Sequence, residues 1–219
     1  MNILITGGSG LIGSRFIRYF SQQHSFTVTT RSVERVKQQF RGCNVDVVGE
    51  LPTAEALTSF DAVINLQGAG IADKRWSAER KQQLQNSRWQ VTEDLVQRIR
   101  ACPAPPILLS GSAIGVYGPR NSEPVDESAT ANRHDFAVEL CEQWESIALQ
   151  VKEHTRVVCL RTGVVLDSSQ GALPRMSLPY KFGLGGPMGS GEQMMSWIHI
   201  EDMIRAIEFI LQDDTISGP

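Results

Sequence analysis

A doubly wound α/β fold, in which a parallel sheet carries helices on both faces, is the fold class that the sequence predicts. Short β-branched and aliphatic runs alternate with amphipathic helical segments along the whole chain. The first run begins at residue 1 and leads directly into a glycine-rich turn and a helix. No internal repeat or low-complexity tract interrupts this alternation. A single domain spanning residues 1–219 is therefore predicted, with ligands at the carboxyl ends of the strands.

The first thirteen residues carry the most informative motif. Residues 1–6 (MNILIT) predict a buried strand, and residues 14–20 predict a helix because their apolar residues recur at helical spacing. The glycines between them satisfy the spacing of a dinucleotide-binding turn, in which backbone N–H groups approach a pyrophosphate at the helix N-terminus. The strand–turn–helix context favours this interpretation over an ordinary glycine-rich turn. The predicted cofactor-binding turn consists of Gly7, Gly8, Ser9, Gly10, Leu11, Ile12 and Gly13.

The end of the second strand, predicted at residues 26–30, indicates which dinucleotide would bind. An NAD site usually places an acidic residue there to bind the ribose 2′-hydroxyl. This chain instead has Thr30 and Arg31, with Arg35 one helical turn further on. A guanidinium and a hydroxyl suit a 2′-phosphate, so NADP is favoured and NAD is less well supported. A solvated arginine in a loop is the alternative.

The middle of the chain continues the alternation of strands and helices. A short helix leads to a third strand at residues 44–48, and a brief helical turn leads to a fourth strand at residues 61–65. The loop after the fourth strand is predicted to face the cofactor through Leu66, Gln67 and Gly68. A long helix spans residues 77–100, and prolines at positions 103, 105 and 106 separate it from a fifth strand at residues 107–110.

The last hundred residues are less regular. Residues 111–133 are polar and turn-rich, residues 134–151 predict a helix, and residues 155–160 predict a sixth strand. A glycine- and proline-rich stretch at residues 171–191 is too long for a simple connection, so residues 171–199 are predicted to form a substrate-side loop. Its apolar residues either line a pocket or pack in the core: Met188, Met194, Met195 and Trp197. A short strand and a final helix follow at residues 197–211.

Composition excludes several classes of function. The net charge of −3 and the pI near 5.8 argue against nucleic acid or an acidic membrane surface as a constitutive partner. No apolar stretch reaches spanning length. The four cysteines lack metal-ligand spacing, so no metal site is predicted, and free thiols indicate a reducing, cytoplasmic compartment. The turn signal at residues 216–219 follows an apolar helix, as though a further element should come next.

The loop after the fifth strand supplies the candidate catalytic residues, Ser112 and Tyr117, and a candidate cofactor contact, Ser110. A serine and a tyrosine can hydrogen-bond a substrate carbonyl or hydroxyl, and a tyrosine can pass a proton during hydride transfer. A serine cap and a packed tyrosine are the alternative.

Three further residues are predicted to bind substrate, and each has a structural alternative. Lys74 either contributes positive charge to the site or belongs to a solvated basic loop. Arg161 either reaches a substrate phosphate or is buried and paired. His199 either titrates against the acidic residues that follow it or joins strand to helix, and the second role is favoured. The other histidines, at positions 24, 134 and 154, are predicted to lie at the surface.

Several of these segments together resemble the extended short-chain dehydrogenase/reductases, in the sugar-nucleotide epimerase branch. They are residues 6–13 (TGGSGLIG), 116–118 (VYG), 160–163 (LRTG) and 197–202 (WIHIED). A second set resembles one atypical family within that branch, labelled NAD(P)-dependent nucleoside-diphosphate-sugar epimerase-like and sometimes cell-division-inhibitor-like. This set comprises residues 74–76 (KRW), 87–88 (SR), 135–136 (DF), 144–145 (WE) and 183–187 (GLGGP).

The resemblance covers essentially the whole chain. It implies a Rossmann-like NAD(P)-binding domain and a small-molecule substrate, with a sugar nucleotide as one option. It also implies a C-terminal segment that completes the substrate side in the family and that this chain is expected to lack. Members of the superfamily often form homodimers through the two long helices, here residues 77–100 and 134–151.

One departure from the resembled superfamily bears on activity. Its members carry a Tyr-x-x-x-Lys pair on the helix after the fifth strand, whereas this chain has Phe136 and Leu140 in that segment. Phe136 cannot exchange a proton. Ser112 also precedes Tyr117 by five residues, where epimerases usually place four.

Two hypotheses follow from this departure. The first is an NADP-dependent oxidoreductase or epimerase acting on a small hydroxyl or carbonyl substrate, with the acid supplied by Tyr117, by substrate or by water. The second is a non-catalytic dinucleotide-binding sensor or scaffold.

Overall fold

The fold is seen in a computed structural model that describes residues 1–120, 122–187 and 189–219. The elements, in chain order, are β1 (Asn2–Thr6), α1 (Leu11–Phe20), β2 (Ser25–Thr29), α2 (Val33–Gln39), β3 (Val45–Val48), α3 (Ala54–Leu57), β4 (Ala62–Asn65), α4 (Ala78–Ala101), β5 (Ile107–Ala113), α5 (Phe136–Ala148), β6 (Val157–Thr162), β7 (Val164–Leu166), α6 (Ala172–Lys181), β8 (Trp197–His199) and α7 (Ile200–Gln212). Short 3₁₀ turns follow β5 at Ile114–Tyr117 and α5 at Leu149–Val151.

The described strands form a six-stranded parallel sheet in the order β3-β2-β1-β4-β5-β6, so the doubly wound prediction is confirmed. The strand order reverses direction between β1 and β4. At such a switch point two adjacent connections leave the sheet toward opposite faces, which opens a crevice at the carboxyl ends of the strands. The glycine-rich turn after β1 and the loop after β4 both lie at this crevice.

Two hydrophobic cores cover the two faces of the sheet. Alternate residues of β1 point to opposite faces: Ile3 and Ile5 pack with α1 and α7, whereas Leu4 packs with α4 and α5. A strand buried on both faces reads as a continuous apolar run, which is why β1 and β4 could be predicted from sequence.

Side-chain caps explain where the helices beside the crevice begin. The Ser77 hydroxyl accepts a hydrogen bond from the Arg80 N–H and starts α4. The Asp135 carboxylate accepts from the Ala137 and Val138 N–H groups and starts α5. Because the cap lies at Asp135, the helix starts at Phe136, two residues after the predicted boundary.

The segment at residues 171–199 departs from its prediction as a loop. Residues Ala172–Lys181 form helix α6. Trp197–His199 form the predicted short strand, which pairs with β7 in a small second sheet. The helix was missed because its two prolines argue against a helix, and none of its residues is buried. Pro174 is tolerated because it lies in the first turn, where N–H groups have no intrahelical partner. Met188 lies outside the described residues, while Met194, Met195 and Trp197 are exposed and contribute nothing to the core.

Three other predictions need correction. Strand β5 continues through Ala113, three residues beyond its predicted end, so Ser112 is a strand residue and not a loop residue. Strand β6 runs two residues further than predicted. His24 is 6% exposed, although it was predicted to lie at the surface. Its Nε2 atom lies 2.9 Å from a carboxylate oxygen of Glu208, because α7 packs across the end of α1.

Candidate functional site

The turn after β1 has no room for side chains at two of its glycines. Gly7 has a φ of +70°, and a Cβ placed there would lie 2.6 Å from the carbonyl carbon and oxygen of Leu66. A Cβ on Gly13 would lie 2.7 Å from the Cα of Gly8. Gly7 therefore brings the turn against the loop after β4, and Gly13 brings α1 against the turn. Both contacts depend on the absence of a Cβ.

The N-terminus of α1 is free of local competitors for an anion. Gly10 caps the helix without a side-chain hydrogen bond, and the first turn contains no acidic residue. The N–H groups of this turn have no partner within the helix, and the helix dipole places positive potential there. The Ser9 carbonyl accepts a hydrogen bond from the Gln39 side chain, which anchors the turn to α2. This arrangement fits a dinucleotide diphosphate.

A series of hydrogen bonds between buried side chains supports the far side of the crevice. The sequence alone did not single out these residues. The Thr6 hydroxyl donates to Asn65 Oδ1 at 2.6 Å, and the Asn65 amide donates to the Thr92 hydroxyl at 2.8 Å. Trp144 also donates to that hydroxyl, at 2.9 Å. These hydrogen bonds link the ends of β1 and β4 to α4 and α5. Thr6 and Asn65 are polar residues at the ends of two apolar strands, and this pattern was the sequence signal that could have predicted the hydrogen bonds.

The basic residues after β2 remain open to solvent. Arg31 and Arg35 are exposed, and no carboxylate oxygen in the described part of the chain lies within 4.0 Å of either guanidinium. The Thr30 hydroxyl accepts a hydrogen bond from the Ser32 N–H at 3.2 Å. These side chains stand next to the glycine-rich turn because β2 pairs with β1 in register through Thr29 and Thr6.

Ser112 and Tyr117 belong to a partly buried network built around an ion pair. Both carboxylate oxygens of Glu145 accept hydrogen bonds from Arg161 at 2.9 Å, and Ser112 donates to Glu145 Oε1 at 2.5 Å. Arg161 also donates to the Tyr117 hydroxyl at 3.1 Å and stacks over its ring. The hydrogen bond from Arg161 to Glu145 raises the pKa of Arg161 despite its partial burial. Of the two roles considered for Arg161, the paired one is observed.

The remaining predicted site residues differ in burial and in hydrogen bonding. Ser110 is fully buried in β5, and its hydroxyl donates to the Gly111 carbonyl at 3.3 Å, which favours a structural role. Lys74 is exposed in the loop before α4. His199 is the N-cap of α7, where its Nδ1 accepts from the Glu201 N–H at 3.3 Å. His199 also lines a cavity of about 380 Å³ between α1 and α7, and the observed cap agrees with the favoured strand-to-helix role. The catalytic and substrate roles predicted for these residues stay predictions.

Phe136, in the segment where the resembled superfamily carries its tyrosine, is enclosed by basic and aromatic groups. The Trp76 ring packs against it edge-on at 5.3 Å, and the Lys81 ammonium lies 5.0 Å from its ring centroid. Lys81 extends from α4 rather than α5. The structure thus places a cation beside this position from a different helix.

The described residues include no group of three or more histidine, cysteine or acidic side chains that could hold a metal ion. Nor does any helix in the described part of the chain combine the length and the apolar character that crossing a membrane requires.

Comparisons with known proteins agree with this geometry. The chain is 34% identical over 225 residues to the chloroplastic epimerase family protein SDR39U1 homolog of Arabidopsis thaliana, covering 100% of this chain and 64% of the relative. It is 37% identical over 219 residues to the epimerase family protein SA0724 of Staphylococcus aureus, covering 99% of this chain and 72% of that protein. The chain thus spans about two thirds of the length of these relatives.

Solved structures show the same fold. The human epimerase family protein SDR39U1 (isoform 2), solved with NADPH, superposes with a TM-score of 0.84 at 30% identity, over 100% of this chain and 72% of that chain. A UDP-glucuronic acid 4-epimerase from Bacillus cereus shares the fold with a TM-score of 0.82 at 19% identity, over 100% of this chain and 76% of that chain. The model of the NAD dependent epimerase/dehydratase family matches residues 3–218. This chain belongs to the NAD dependent epimerase/dehydratase family.

Proposed function

We propose that the chain is the NADP-binding part of an oxidoreductase or sugar-nucleotide epimerase-like protein that acts on a small hydroxyl or carbonyl substrate. The observation that carries the proposal is the tight glycine-rich turn beside an exposed basic cluster at the end of β2. The human relative solved with NADPH supports the choice of NADP.

Each part of the cofactor has a matching set of residues. The N–H groups of Leu11, Ile12 and Gly13 would hold the diphosphate at the start of α1. Arg31 and Arg35, together with the Thr30 hydroxyl, would hold the 2′-phosphate, because a guanidinium pairs strongly with phosphate oxygens. Leu66, Gln67 and Gly68 would flank the cofactor where the loop after β4 approaches Gly7. When bound, the nicotinamide supplies hydride transfer to or from the substrate.

Proton movement falls to the chain's own side chains. Tyr117 accepts a hydrogen bond from Arg161, so the phenol keeps its own proton for a substrate oxygen. Ser112 donates its hydroxyl hydrogen bond to Glu145, so its oxygen can only accept a hydrogen bond from a substrate. Tyr117 is therefore the better candidate acid and Ser112 the better candidate for orientation.

A non-catalytic dinucleotide-binding protein is the second candidate. Phe136 favours it because that side chain cannot exchange a proton. The burial of Ser112 and Tyr117 in the Glu145–Arg161 network points the same way. A sensor or scaffold would bind the cofactor without catalysing a reaction.

Titration of the protein with NADPH and NADH, followed by nicotinamide fluorescence, tests the cofactor part of the proposal. We expect NADPH to bind at least about tenfold more tightly, since a charge-assisted pair to phosphate contributes about 1.5–3 kcal/mol. Equal affinities would contradict the NADP assignment. Absorbance of the nicotinamide against a panel of carbonyl compounds and sugar nucleotides then separates the candidates. Turnover supports the enzyme, and tight binding without turnover supports the sensor.

Location and assembly are part of the same proposal. The reduced state expected of four free cysteines supports a cytoplasmic location. A homodimer would form through the outer faces of α4 and α5, which pack side by side in the fold. Light scattering at several protein concentrations would give the mass in solution, and a monomer at every concentration would contradict the dimer.

A further inference from the structure

The buried stripe of α4 contains two arginines where apolar residues are expected. Leu84, Leu95 and Ile99 belong to that stripe and are fully buried. Arg80 precedes Leu84 by one helical turn, and Arg88 follows it by one turn, so both guanidinium groups point inward. We call these two residues the arginine pair. They lie beneath the loop at residues 66–76, which joins β4 to α4 and is called here the 66–76 loop.

Arg80 is only 8% exposed and lacks a full set of partners. One terminal nitrogen donates to the Gly70 carbonyl at 2.5 Å, and the other donates to the Gln83 side chain at 2.6 Å. Its Nε is buried and has no hydrogen-bond partner among the described residues. Both hydrogen-bond partners of Arg80 are neutral, and no described carboxylate forms a salt bridge with it.

Arg88 is held in the same way. One terminal nitrogen donates to the Ala69 carbonyl at 3.0 Å, and the other donates to the Leu84 carbonyl and the Ser87 hydroxyl, each at 3.2 Å. The guanidinium stacks on the Trp144 ring at 5.4 Å. Desolvation by burial lowers the pKa of Arg88, and the neighbouring charge of Arg80 lowers it further. The protein itself thus makes the charge of Arg88 unfavourable.

No acidic residue in the described part of the chain relieves this charge. No carboxylate oxygen there lies within 4.0 Å of either guanidinium, and the acidic side chain of the 66–76 loop, Asp73, pairs with Arg175 of α6 at 3.2 Å. Lys81 adds a further positive charge on α4. A buried charge without an opposite charge is costly, which indicates that an anion from outside the chain belongs here.

The position of the arginine pair connects it to the proposed cofactor site. A Cβ placed on Gly68 would lie 3.0 Å from the central carbon of the Arg88 guanidinium, so Arg88 directly supports the loop that would flank the cofactor. The loop is exposed on its other side from Gly70 onward. An anion bound here would sit near the carboxyl end of β4, under Ala69 and Gly70.

We propose that the arginine pair binds an anionic group of the substrate, a carboxylate or a phosphate, beneath the 66–76 loop. The proposal rests on the proposed function, because it gives that function a substrate class: a hydroxyl or carbonyl compound that carries an acidic group. The anion replaces the carbonyls of Ala69 and Gly70 on the two guanidinium groups and moves the loop. Arginine suits this role because its planar fork of N–H donors matches a carboxylate or phosphate.

Thermal denaturation of the protein at saturating NADPH, with inorganic phosphate or citrate as the probe, tests this assignment. Sodium chloride at equal ionic strength is the control salt. We expect either probe to raise the Tm above its value in sodium chloride, because a ligand that binds only the folded state stabilises it. Arg80→Gln and Arg88→Gln should each weaken the apparent affinity for the probe by about tenfold or more. Arg100→Gln, an exposed arginine on the same helix, is the matched control and should bind as the native protein does.

Three other outcomes would overturn the proposal. A native protein whose Tm in either probe is no higher than in sodium chloride refutes it without any variant. If the probes raise the Tm of the two glutamine variants as much as that of the native protein, the arginine pair is not the site. Competition between phosphate and NADPH would place the anion in the cofactor site instead. Arg88→Lys, which keeps the charge, should fold and retain part of the affinity even if the glutamine variants do not fold. If NADPH fails to bind while the probes still stabilise only proteins with both arginines, the proposed cofactor is wrong and the anion site stands.

Discussion

At the scale of single residues, the surroundings of each guanidinium decide what it can do. Arg31 is exposed and has no carboxylate within 4.0 Å among the described residues, so its donors are free for a ligand. The Arg161 side chain is 14% exposed, and it makes two hydrogen bonds to Glu145. The same side chain type is therefore available to a ligand in one place and holds the fold together in the other.

Replacing Arg31 with Asp should shift the cofactor preference toward NADH. The carboxylate would repel a 2′-phosphate and accept a hydrogen bond from a 2′-hydroxyl. We expect NADPH to bind at least about tenfold more weakly, as fluorescence titration would measure. Arg41→Asp, which makes the same charge change at an exposed position after α2, should leave both affinities unchanged. An unaltered preference in the Arg31 variant would refute the assignment of this residue.

Replacing Glu145 with Gln should destabilise the fold by about 3 kcal/mol, because it leaves Arg161 partly buried without its opposite charge. Urea denaturation at neutral pH would measure the loss. Tyr117→Phe removes only one hydrogen bond from the same network and should cost about 1 kcal/mol. Equal losses in the two variants would show that the ion pair does not dominate the network.

At the scale of elements, the connection between β1 and α1 is the most constrained part of the crevice. Its geometry follows from the close contact of Gly7 with Leu66, which only a residue without a Cβ allows. By contrast, α6 lies on the surface and buries none of its side chains. The connection between β1 and α1 is rigid because it is packed on both sides. Helix α6 depends on few tertiary contacts.

Replacing Gly7 with Ala should abolish measurable NADPH binding and lower the Tm. A residue with a Cβ at a φ of +70° costs about 1–2 kcal/mol, and the clash with Leu66 adds to it. Gly42 is the matched control because its φ is +86° and a Cβ there would meet nothing within 4 Å. Gly42→Ala should show only the backbone cost and bind NADPH normally. A Gly7 variant that bound as well as the Gly42 variant would rule out the predicted role of the turn.

Hydrogen exchange should distinguish α6 from α7. Pro179 removes one helical hydrogen bond from α6, whereas five residues of α7 are buried in the core, Ile200, Met203, Ile204, Ile207 and Leu211. We expect amides in the second half of α6 to exchange about a hundredfold faster or more, because exposed helices open locally at little free-energy cost. Mass spectrometry of peptic peptides would measure the rates. Similar protection of the two helices would mean that α6 has contacts beyond those described.

At the scale of the whole molecule, packing of the fold buries three of the four thiols. Cys102, Cys141 and Cys159 are buried, whereas Cys43 is only partly buried. Burial, together with the charge of Glu145, raises the pKa of Cys141 to about 11 and that of Cys159 to about 12. These thiols are therefore protonated at neutral pH and do not serve as nucleophiles.

Labelling with a thiol-specific disulfide reagent should proceed in two phases at pH 8. Cys43 should react first, and the three buried thiols should react only as the domain unfolds. Their rate should rise with urea while the rate of Cys43 changes little. Cys43→Ser should remove the fast phase alone. A native protein in which a second thiol reacts as fast as Cys43 would contradict the burial.

The sequence by itself determined the fold class, the glycine-rich turn between β1 and α1, and the family. Continuous apolar strands, the glycine spacing and the helix caps are local signals, and each depends on residues that are close in the chain. The cofactor residues Gly7 to Gly13 and Arg31 could be proposed for the same reason. Helix α6 was missed because its prolines argue against a helix.

Only the tertiary structure decided which side chains meet. Ser112, Tyr117, Glu145 and Arg161 lie on a strand, a turn, a helix and another strand, and their network forms because β5, β6 and α5 pack together. The charge imbalance at the arginine pair is also a tertiary property. It requires knowing that Arg80 faces inward and that no described carboxylate reaches it, which depends on how α4 packs against the sheet.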